Sequence, residues 1–235
     1  MLIDILAQIG FVVLLRLVAK NAILIVEFAR QSQDREGDVR FDMKWLYHLA
    51  EADNLDSILK RGLMSTKRLV GMVNLPERER KTLLRNHRPE CVRLAQGVLI
   101  RDQRPMPPTA LSRALDEDLQ PSDWYELLNG FVFFWPDPKR LERQRRACGD
   151  RPQILLTFDS AALFGHFGAS AFVSPINSGN ARRKAARRGL TTLLSYKTWS
   201  QVGWPTGRRT RPPVEVLFEC VIPTVPPYLI GISII

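Results

Sequence analysis

The sequence is poor in the residues that form disulfide frameworks and metal centres. It has 3 cysteines and 3 histidines among 235 residues. The cysteines Cys91, Cys148 and Cys220 are far apart and form no C-x-x-C pair. Neither a disulfide framework nor a zinc knuckle is therefore indicated. A reducing cytoplasm is the natural setting for such a chain, and we expect it to need no metal ion.

The motifs of several large enzyme classes are also missing. The chain has no G-x-x-x-x-G-K-[ST] phosphate loop, no G-x-G-x-x-G, no H-E-x-x-H and no G-x-S-x-G. These absences leave P-loop NTPase, Rossmann dehydrogenase, zincin and α/β-hydrolase assignments without support. The length, together with 45% hydrophobic residues, suits one globular domain with a full core and a short extra segment.

Acidic residues are outnumbered by basic ones. The chain has 34 Lys and Arg against 24 Asp and Glu, a net charge of +10, and its pI is near 10.0. Such an excess favours polyanionic partners, although it can also serve solubility alone. Residues 1–42 hold five basic and six acidic side chains, a net of −1, which leaves +11 for the remainder. The basic excess therefore lies entirely after residue 42.

The N-terminal segment is apolar but interrupted by charge. Residues 5–29 approach the length of a bilayer span, yet they contain Arg16, Lys20 and Glu27. Within them AKNAILIVEFA resembles a transmembrane helix of the resistance-nodulation-division efflux pumps, although Arg16 departs from that pattern. We predict a separate helix over residues 1–30. It is either a fusion that anchors the protein in a membrane or, as we favour, a gene remnant.

A polar linker and one domain follow this helix. QSQDREGDVRFD, residues 31–42, has the composition of a linker without a fold of its own. We place the domain at residues 43–235. Membrane association is expected only if residues 5–29 are inserted.

The first informative stretch of the domain is LYHLAEADNLDSILKRGLMST. The run from Trp45 to Leu49 suits a buried strand with one ionisable group, His48. Asp53 is predicted to cap a short helix that ends before Gly62. A neutral imidazole donates one hydrogen bond and accepts another, which suits a sugar hydroxyl or an amide. A histidine that caps a loop is the alternative.

The second stretch is PVEVLFECVIP, residues 213–223. Its alternation predicts a strand with Glu215 and Glu219 on one face. A carboxylate there can hold a ribose hydroxyl and stabilise positive charge on the adjacent sugar carbon. A solvated strand face is the alternative.

Helices and strands are also predicted between the two stretches. The predicted helices are a helix from Pro76 to near Arg88, one within Pro121–Asn129 that begins on Ser122 or Asp123, and a basic one at Pro138–Ala147, and the predicted strands are Gly97–Arg101, Phe131–Trp135 and Gln153–Phe158. Two basic segments, residues 182–188 and 207–211, could bind phosphates or form solvated faces.

Four segments in order resemble one family. YHLAEADNLDSILKRGLMS, NGFVFFWPDPKRL, SPINSGNARR and PVEVLFECVIPTVPPYLI resemble the DarT-type DNA ADP-ribosyltransferases and, more closely, an uncharacterised bacterial family related to them. The resemblance implies an α+β, split β-sheet fold that binds NAD. It also implies that His48 lies near the nicotinamide ribose and that Glu215 is the catalytic carboxylate.

The resemblance extends to further residues. It implies that Tyr47, or an aromatic residue of FVFFW, faces the nicotinamide, and that Arg88, Asn180 and Arg183 orient the diphosphate. The loop before Glu215 would contact the target through Trp204, Arg208, Arg209 and Arg211. The chain departs from the DarT pattern in HLAEAD after Tyr47 and in an insertion at residues 101–119.

The resulting hypothesis is NAD-dependent transfer of ADP-ribose to a nucleobase, in single-stranded DNA, by a toxin or defence enzyme with an antitoxin protein as partner. Two alternatives stay open: a non-catalytic nucleic-acid-binding module, and an NAD glycohydrolase or RNA-modifying relative on the same fold.

Overall fold

The computed structural model describes residues 43–182, 185–205 and 211–235. The predicted N-terminal helix and linker lie outside these residues, and so do the candidate site residues Arg183, Arg208 and Arg209. Over the part that is described, the chain is an α+β protein built from antiparallel sheets and helices, as predicted. A search of the same part for a helix long and apolar enough to cross a membrane finds none.

Nine strands are found in the described ranges. In chain order they are β1 Trp45–Glu51, β2 Val92–Arg93, β3 Leu99–Ile100, β4 Val132–Phe134, β5 Gln153–Asp159, β6 Ala171–Ser174, β7 Leu194–Ser195, β8 Glu215–Phe218 and β9 Leu229–Ile234.

Eight α-helices connect these strands, again counting only described residues. In chain order they are α1 Leu55–Arg61, α2 Thr66–Gly71, α3 Glu77–Arg85, α4 Pro108–Ser112, α5 Pro121–Asn129, α6 Pro138–Ala147, α7 Ser160–Phe167 and α8 Tyr196–Val202.

The strands form two main sheets and one small hairpin. The first sheet has the order β1-β5-β9, the second has the order β4-β8-β6-β7, and β2 pairs with β3. All of these pairs are antiparallel.

The two main sheets meet at one residue pair. Tyr47 of β1 and Trp135, directly after β4, exchange both backbone hydrogen bonds, with N···O distances of 3.0 and 2.8 Å. We call this contact between β1 and β4 the seam. Across it, the strands follow one another laterally in the order β7-β6-β8-β4-β1-β5-β9.

Alternating side chains give the sheets two faces. The inner face carries fully buried side chains from several strands, namely Leu46, Phe134, Leu156, Val173 and Val216. Helix α7 packs on this face through Leu163, and α8 packs on it through Tyr196 and Trp199. The main hydrophobic core lies between the inner face and these helices.

The outer face is covered by helices α5 and α6. Helix α5 packs Trp124 and Leu128 in a cluster that reaches Phe133. Helix α6 packs Leu141 against Tyr47 and Trp135. Phe133 borders both clusters and is only partly buried.

Two predicted helices have boundaries at or near the observed ones. Helix α6 has its predicted bounds, whereas α5 begins at Pro121, before the predicted start at Ser122 or Asp123, and in each helix the proline is at N1. Helix α3 instead begins after Pro76, which is its N-cap, and ends at Arg85.

The segment after β1 differs from its prediction. Asp53 lies in a 3₁₀ turn and pairs with Arg93, while Asn54 precedes α1 and bonds Leu99 with both its side-chain oxygen and nitrogen. Gly62 ends α1 as predicted, with φ of 81°. A Cβ there would lie 2.6 Å from the carbonyl oxygen of Ile222.

The strand that begins at Glu215 is shorter than predicted. It ends at Phe218, so Glu219 is not part of it and is exposed. The shared face that we predicted for the two glutamates is therefore not formed.

Candidate functional site

Glu215 is a buried carboxylate at the start of β8. Its exposed fraction is 2%, and the residues that follow it on the strand are completely buried. Its Oε2 accepts two hydrogen bonds from Ser178, one from the backbone N–H at 3.0 Å and one from Oγ at 2.7 Å. Among the residues that the structure describes, none donates a hydrogen bond to Oε1.

This environment shifts the acidity of Glu215. Burial raises the pKa of its carboxyl group from 4.5 to about 7, because the charged form loses its hydration. The two bonds from Ser178 act in the opposite direction, as do the charges of Arg188 and Arg140. Glu215 is therefore divided between its neutral and ionised forms near neutral pH.

Ser178 is fixed by its own neighbours. It lies in a turn after β6 and is completely buried. Its carbonyl accepts a bond from Nη1 of Arg188 at 2.9 Å and one from Nε1 of Trp124 at 3.3 Å. Nη2 of Arg188 also donates to the carbonyl of Asn180 at 2.9 Å. One guanidinium thus holds the turn that covers Glu215.

Sheet pairing brings Glu215 and Tyr47 onto one face. Ser174 pairs with Glu215, and Phe134 pairs with Val216, so Trp135 is the next position in register with Glu215. Trp135 in turn pairs with Tyr47. Directly opposed residues project to the same face, and two interstrand spacings separate the Cα atoms of Glu215 and Tyr47 by about 10 Å. Burial raises the pKa of Tyr47, which keeps its phenol neutral.

His48 lies on the inner face and reaches into the seam. Its Nδ1 is 2.8 Å from the backbone oxygen of Phe133, and its ring centroid is 5.6 Å from that of Phe134. Because a carbonyl only accepts, Nδ1 carries the hydrogen and Nε2 is an acceptor. No described residue is found as a partner of Nε2.

The imidazole of His48 is neutral at physiological pH. Burial lowers its pKa from 6.5 to about 4, and the charge of Arg101 lowers it further, while the bond to Phe133 acts in the opposite direction. His48 and Glu215 therefore belong to opposite faces, two strands apart, and the seam lies between them.

Arg88 occupies a different part of the molecule and is 6% exposed. Its guanidinium donates to the carbonyls of Leu83 and Arg101 and to Oδ1 of Asn129. Burial lowers its pKa to about 10. These bonds join the end of α3, the loop after β3 and the end of α5, so Arg88 connects three segments of the fold.

The remaining candidates surround the start of β8. Asn180 is exposed, and its Oδ1 accepts from the backbone of Arg182 at 3.0 Å. Trp204 is 4% exposed within the main core. Its Nε1 donates to the carbonyl of Arg211 at 2.5 Å, and Arg211 is exposed. In this arrangement Trp204 holds the backbone of Arg211, and its ring does not face solvent.

Two other features bear on what the site can hold. Among the described residues, no group of three or more His, Cys, Asp and Glu side chains could hold a metal ion. Two surface cavities of ≈ 550 and ≈ 560 Å³ lie along α3, lined by residues such as Thr82 and Arg78. Neither cavity includes Glu215, His48 or Tyr47.

The sequence analysis missed Ser178, Arg188 and Arg140. Ser178 lies inside SPINSG, a segment that we singled out for its turn and its arginines. Arg188 was predicted as part of an exposed or phosphate-binding run, but it is 2% exposed. The glycine after it, Gly189, could have indicated the burial of Arg188. A Cβ at this position would lie 1.9 Å from Oδ2 of Asp116. That contact requires the chain to approach α4 and its following turn closely.

The arrangement provides a carboxylate with one oxygen fixed and the other without a hydrogen-bond donor among the described residues. Such a group can accept a hydrogen bond from a hydroxyl, or stabilise a cation that forms beside it. The neutral His48 offers a second acceptor at the seam.

Comparison with known proteins gives a family for most of the chain. Residues 44–229 match the model of a family of unknown function, DUF7002. No curated protein matches the chain. Because the family match spans well over half of the sequence, the chain belongs to the DUF7002 family.

Proposed function

We propose that the protein transfers ADP-ribose from NAD to a nucleobase in single-stranded DNA, as a toxin or defence enzyme. The observation that carries the proposal is the environment of Glu215. It begins a central strand, one oxygen is held by Ser178, and the other has no partner among the described residues. Support also comes from the division of the strands into two sheets that meet at the seam, which a split β-sheet fold requires.

In the proposed reaction, Glu215 acts on the ribose next to nicotinamide. The bond between nicotinamide and ribose breaks, nicotinamide leaves with the bonding electrons, and the sugar carbon becomes cationic. Ionised Glu215 accepts a hydrogen bond from the ribose 2′-hydroxyl and stabilises that cation. One well-placed group of this kind contributes on the order of 3 kcal/mol. A nitrogen of the nucleobase then forms the new bond to the sugar carbon and releases its proton to water.

The residues of β1 take supporting roles in this proposal. Tyr47 lies on the same face as Glu215, which suits contact with the nicotinamide ring. His48 lies on the opposite face of β1, so the ribose contact that the resemblance implies for it would lie on the other side of the sheet from Glu215. Asn180 is exposed next to the Ser178 turn, and together with Arg183 it would orient the diphosphate.

The target strand is assigned to the basic segment before β8. Arg211 is exposed four residues before Glu215, and Arg208 and Arg209 precede it in the chain. We assign phosphate contacts to these arginines. Trp204 would hold the segment in place through the carbonyl of Arg211, and Arg88 would stabilise the fold, since its guanidinium is already bonded to protein groups.

Mass spectrometry tests the reaction directly. The full chain is incubated with NAD and a pool of single-stranded DNA and RNA oligonucleotides. We expect one ADP-ribose to be added to an oligonucleotide. Glu215→Gln should lower the rate by about 10²-fold or more, because the variant cannot ionise.

The matched control is Glu219→Gln, an exposed glutamate just after β8. This variant should retain the wild-type rate. Full activity of Glu215→Gln would remove the catalytic role of Glu215. A wild-type protein that forms no NAD-dependent product with any oligonucleotide would overturn the proposed function. Free ADP-ribose with unmodified oligonucleotides would indicate an NAD glycohydrolase instead.

A non-catalytic nucleic-acid-binding module is the second candidate. The 2% exposure of Glu215 favours it, because a carboxylate so deeply buried has little surface for a substrate. The basic charge of the domain would serve either function. A calorimetric titration with NAD separates the two, since only the enzyme should bind NAD.

A further inference from the structure

Glu215 is held by a residue 37 positions away in the chain. We propose that Ser178 is a positioning residue for the transfer reaction, and that it fixes one oxygen of Glu215 so that the other meets the substrate. The inference rests on the proposed function of Glu215. It adds a residue to which neither the sequence motifs nor the family match gives a role.

The geometry of the contact supports this role. The N–H and O–H of one serine bind the same oxygen, Oε2, at 3.0 and 2.7 Å. Two donors from one residue prevent the carboxyl group from rotating about its terminal bond. A proton on Glu215 is then directed to Oε1, because Oε2 is already occupied by two donors.

Ser178 is itself positioned firmly enough to act in this way. It is completely buried, and its carbonyl accepts bonds from Arg188 and Trp124. Arg188 also bonds the carbonyls of Asn180 and Ala186, so the turn is held at several points. A flexible surface serine would pay conformational entropy for the same contact, whereas this one is already ordered.

The charged and titratable groups around Glu215 come from three directions. Arg188 approaches from the segment after the turn, Arg140 from α6, and Tyr47 lies across Trp135 on β1. Both arginines favour ionised Glu215 by their charge, and the Ser178 hydroxyl favours it by a hydrogen bond. Removing the hydroxyl leaves the arginines in place, so its effect can be measured separately.

The test compares Ser178→Ala with Ser174→Ala. Ser174 is an equally buried serine that pairs with Glu215 across β6 and β8, yet among the described residues its Oγ bonds only the backbone of Ile176. Both variants lose a buried hydroxyl, but only Ser178→Ala removes a donor from Glu215. A general loss of stability would therefore affect both variants alike.

Two readouts are measured on the full chain. The first is the pH dependence of ADP-ribose transfer. In Ser178→Ala the rise of the rate on the acidic side of the pH–rate profile should shift to higher pH by about one unit, because one donor to the ionised form of Glu215 is lost. Turnover should fall about tenfold with little change in KM for NAD, since the substrate-facing oxygen stays in place but is less well oriented. Ser174→Ala should match the wild type.

The second readout does not depend on activity. Glutamate carboxyl carbons are labelled with ¹³C, the Glu215 resonance is assigned from its absence in Glu215→Gln, and its shift is followed against pH by NMR. We expect the midpoint to rise in Ser178→Ala and to stay unchanged in Ser174→Ala. An unmoved midpoint in Ser178→Ala would overturn the inference about Ser178 whatever the activity of the wild type. Absence of NAD-dependent product in the wild type would instead overturn the proposed function.

Discussion

Glu215 lies in a place where its own charge destabilises the fold. Its carboxyl group has a pKa of about 7 in the folded protein against 4.5 for the ordinary group. Between these pH values the folded state binds more protons than the unfolded state, so stability falls as pH rises. A difference of this size corresponds to about 3 kcal/mol. The proposed catalytic group is therefore one without which the fold would be more stable.

This leads to a prediction for Glu215→Gln, which is neutral at every pH. We expect the variant to be more stable than the wild type by about 3 kcal/mol at pH 8, and by much less at pH 5, where the folded wild type is protonated and the pH is close to the ordinary pKa of the unfolded group. Urea denaturation at the two pH values measures the difference. Glu219→Gln is the control, and it should show no such trend. A stability difference for Glu215→Gln that is the same at both pH values would contradict the prediction.

The sequence identified the strand of Glu215 but not the partner of its carboxylate. A period of two and flanking prolines predict a strand within residues 213–223, with Glu219 included, whatever surrounds it. The bonds from Ser178 depend instead on the register of β6 against β8, which aligns Ser174 with Glu215. Such a register depends on the whole sheet, and no local pattern encodes it.

At the scale of elements, Arg88 joins three segments of the chain through one buried guanidinium. Its bonds reach α3, the loop after β3 and the end of α5. Removing a buried guanidinium leaves its three acceptors without this donor. We predict that Arg88→Ala lowers the free energy of unfolding by about 3 kcal/mol.

The control for this prediction is Arg78→Ala, an exposed arginine of α3. It should change the stability by no more than about 0.5 kcal/mol. Urea denaturation of both variants gives the comparison. If Arg88→Ala keeps the wild-type stability but raises KM for NAD, the result would support the contact with the NAD diphosphate that the family resemblance implies for Arg88.

Helices were predictable where their ends carry a strong signal. Helix α6 begins at Pro138 as predicted, whereas α5 begins at Pro121, one or two residues before the predicted Ser122 or Asp123. Helix α7 was not predicted. It contains Gly165, which weakens the helical pattern, and its cap is Asp159 at the end of β5, whose side chain accepts from the N–H of Ala162 at 2.8 Å. A residue that belongs to a strand and caps the next helix is hard to assign from sequence alone.

At the scale of the whole molecule, the basic excess lies in the part of the chain that the family match covers. Arg182 and Arg187 are exposed on the segment that follows the Ser178 turn, and Arg211 is exposed next to β8. We predict that the full chain binds single-stranded DNA with an affinity that falls as salt rises, with a slope of about −0.7 per neutralised phosphate. Fluorescence anisotropy at several salt concentrations measures this slope.

The double variant Arg182→Glu and Arg187→Glu should reduce the steepness of the slope. Its matched control is Arg61→Glu with Arg113→Glu, two exposed arginines of other segments that change the net charge equally. Equal weakening by both pairs would show a general charge effect and no binding surface beside the Ser178 turn.

The seam between the sheets also has a mechanical consequence. Over the described part of the chain, β1 and β4 share one pair of exchanged backbone bonds, and the imidazole of His48 bonds Phe133 one position further along. The main core nevertheless spans both sheets, and Phe134 of one sheet packs its ring 5.3 Å from that of Phe158 of the other. Rotating one sheet against the other would open this core to water, so packed side chains, more than backbone bonds, hold the two sheets together.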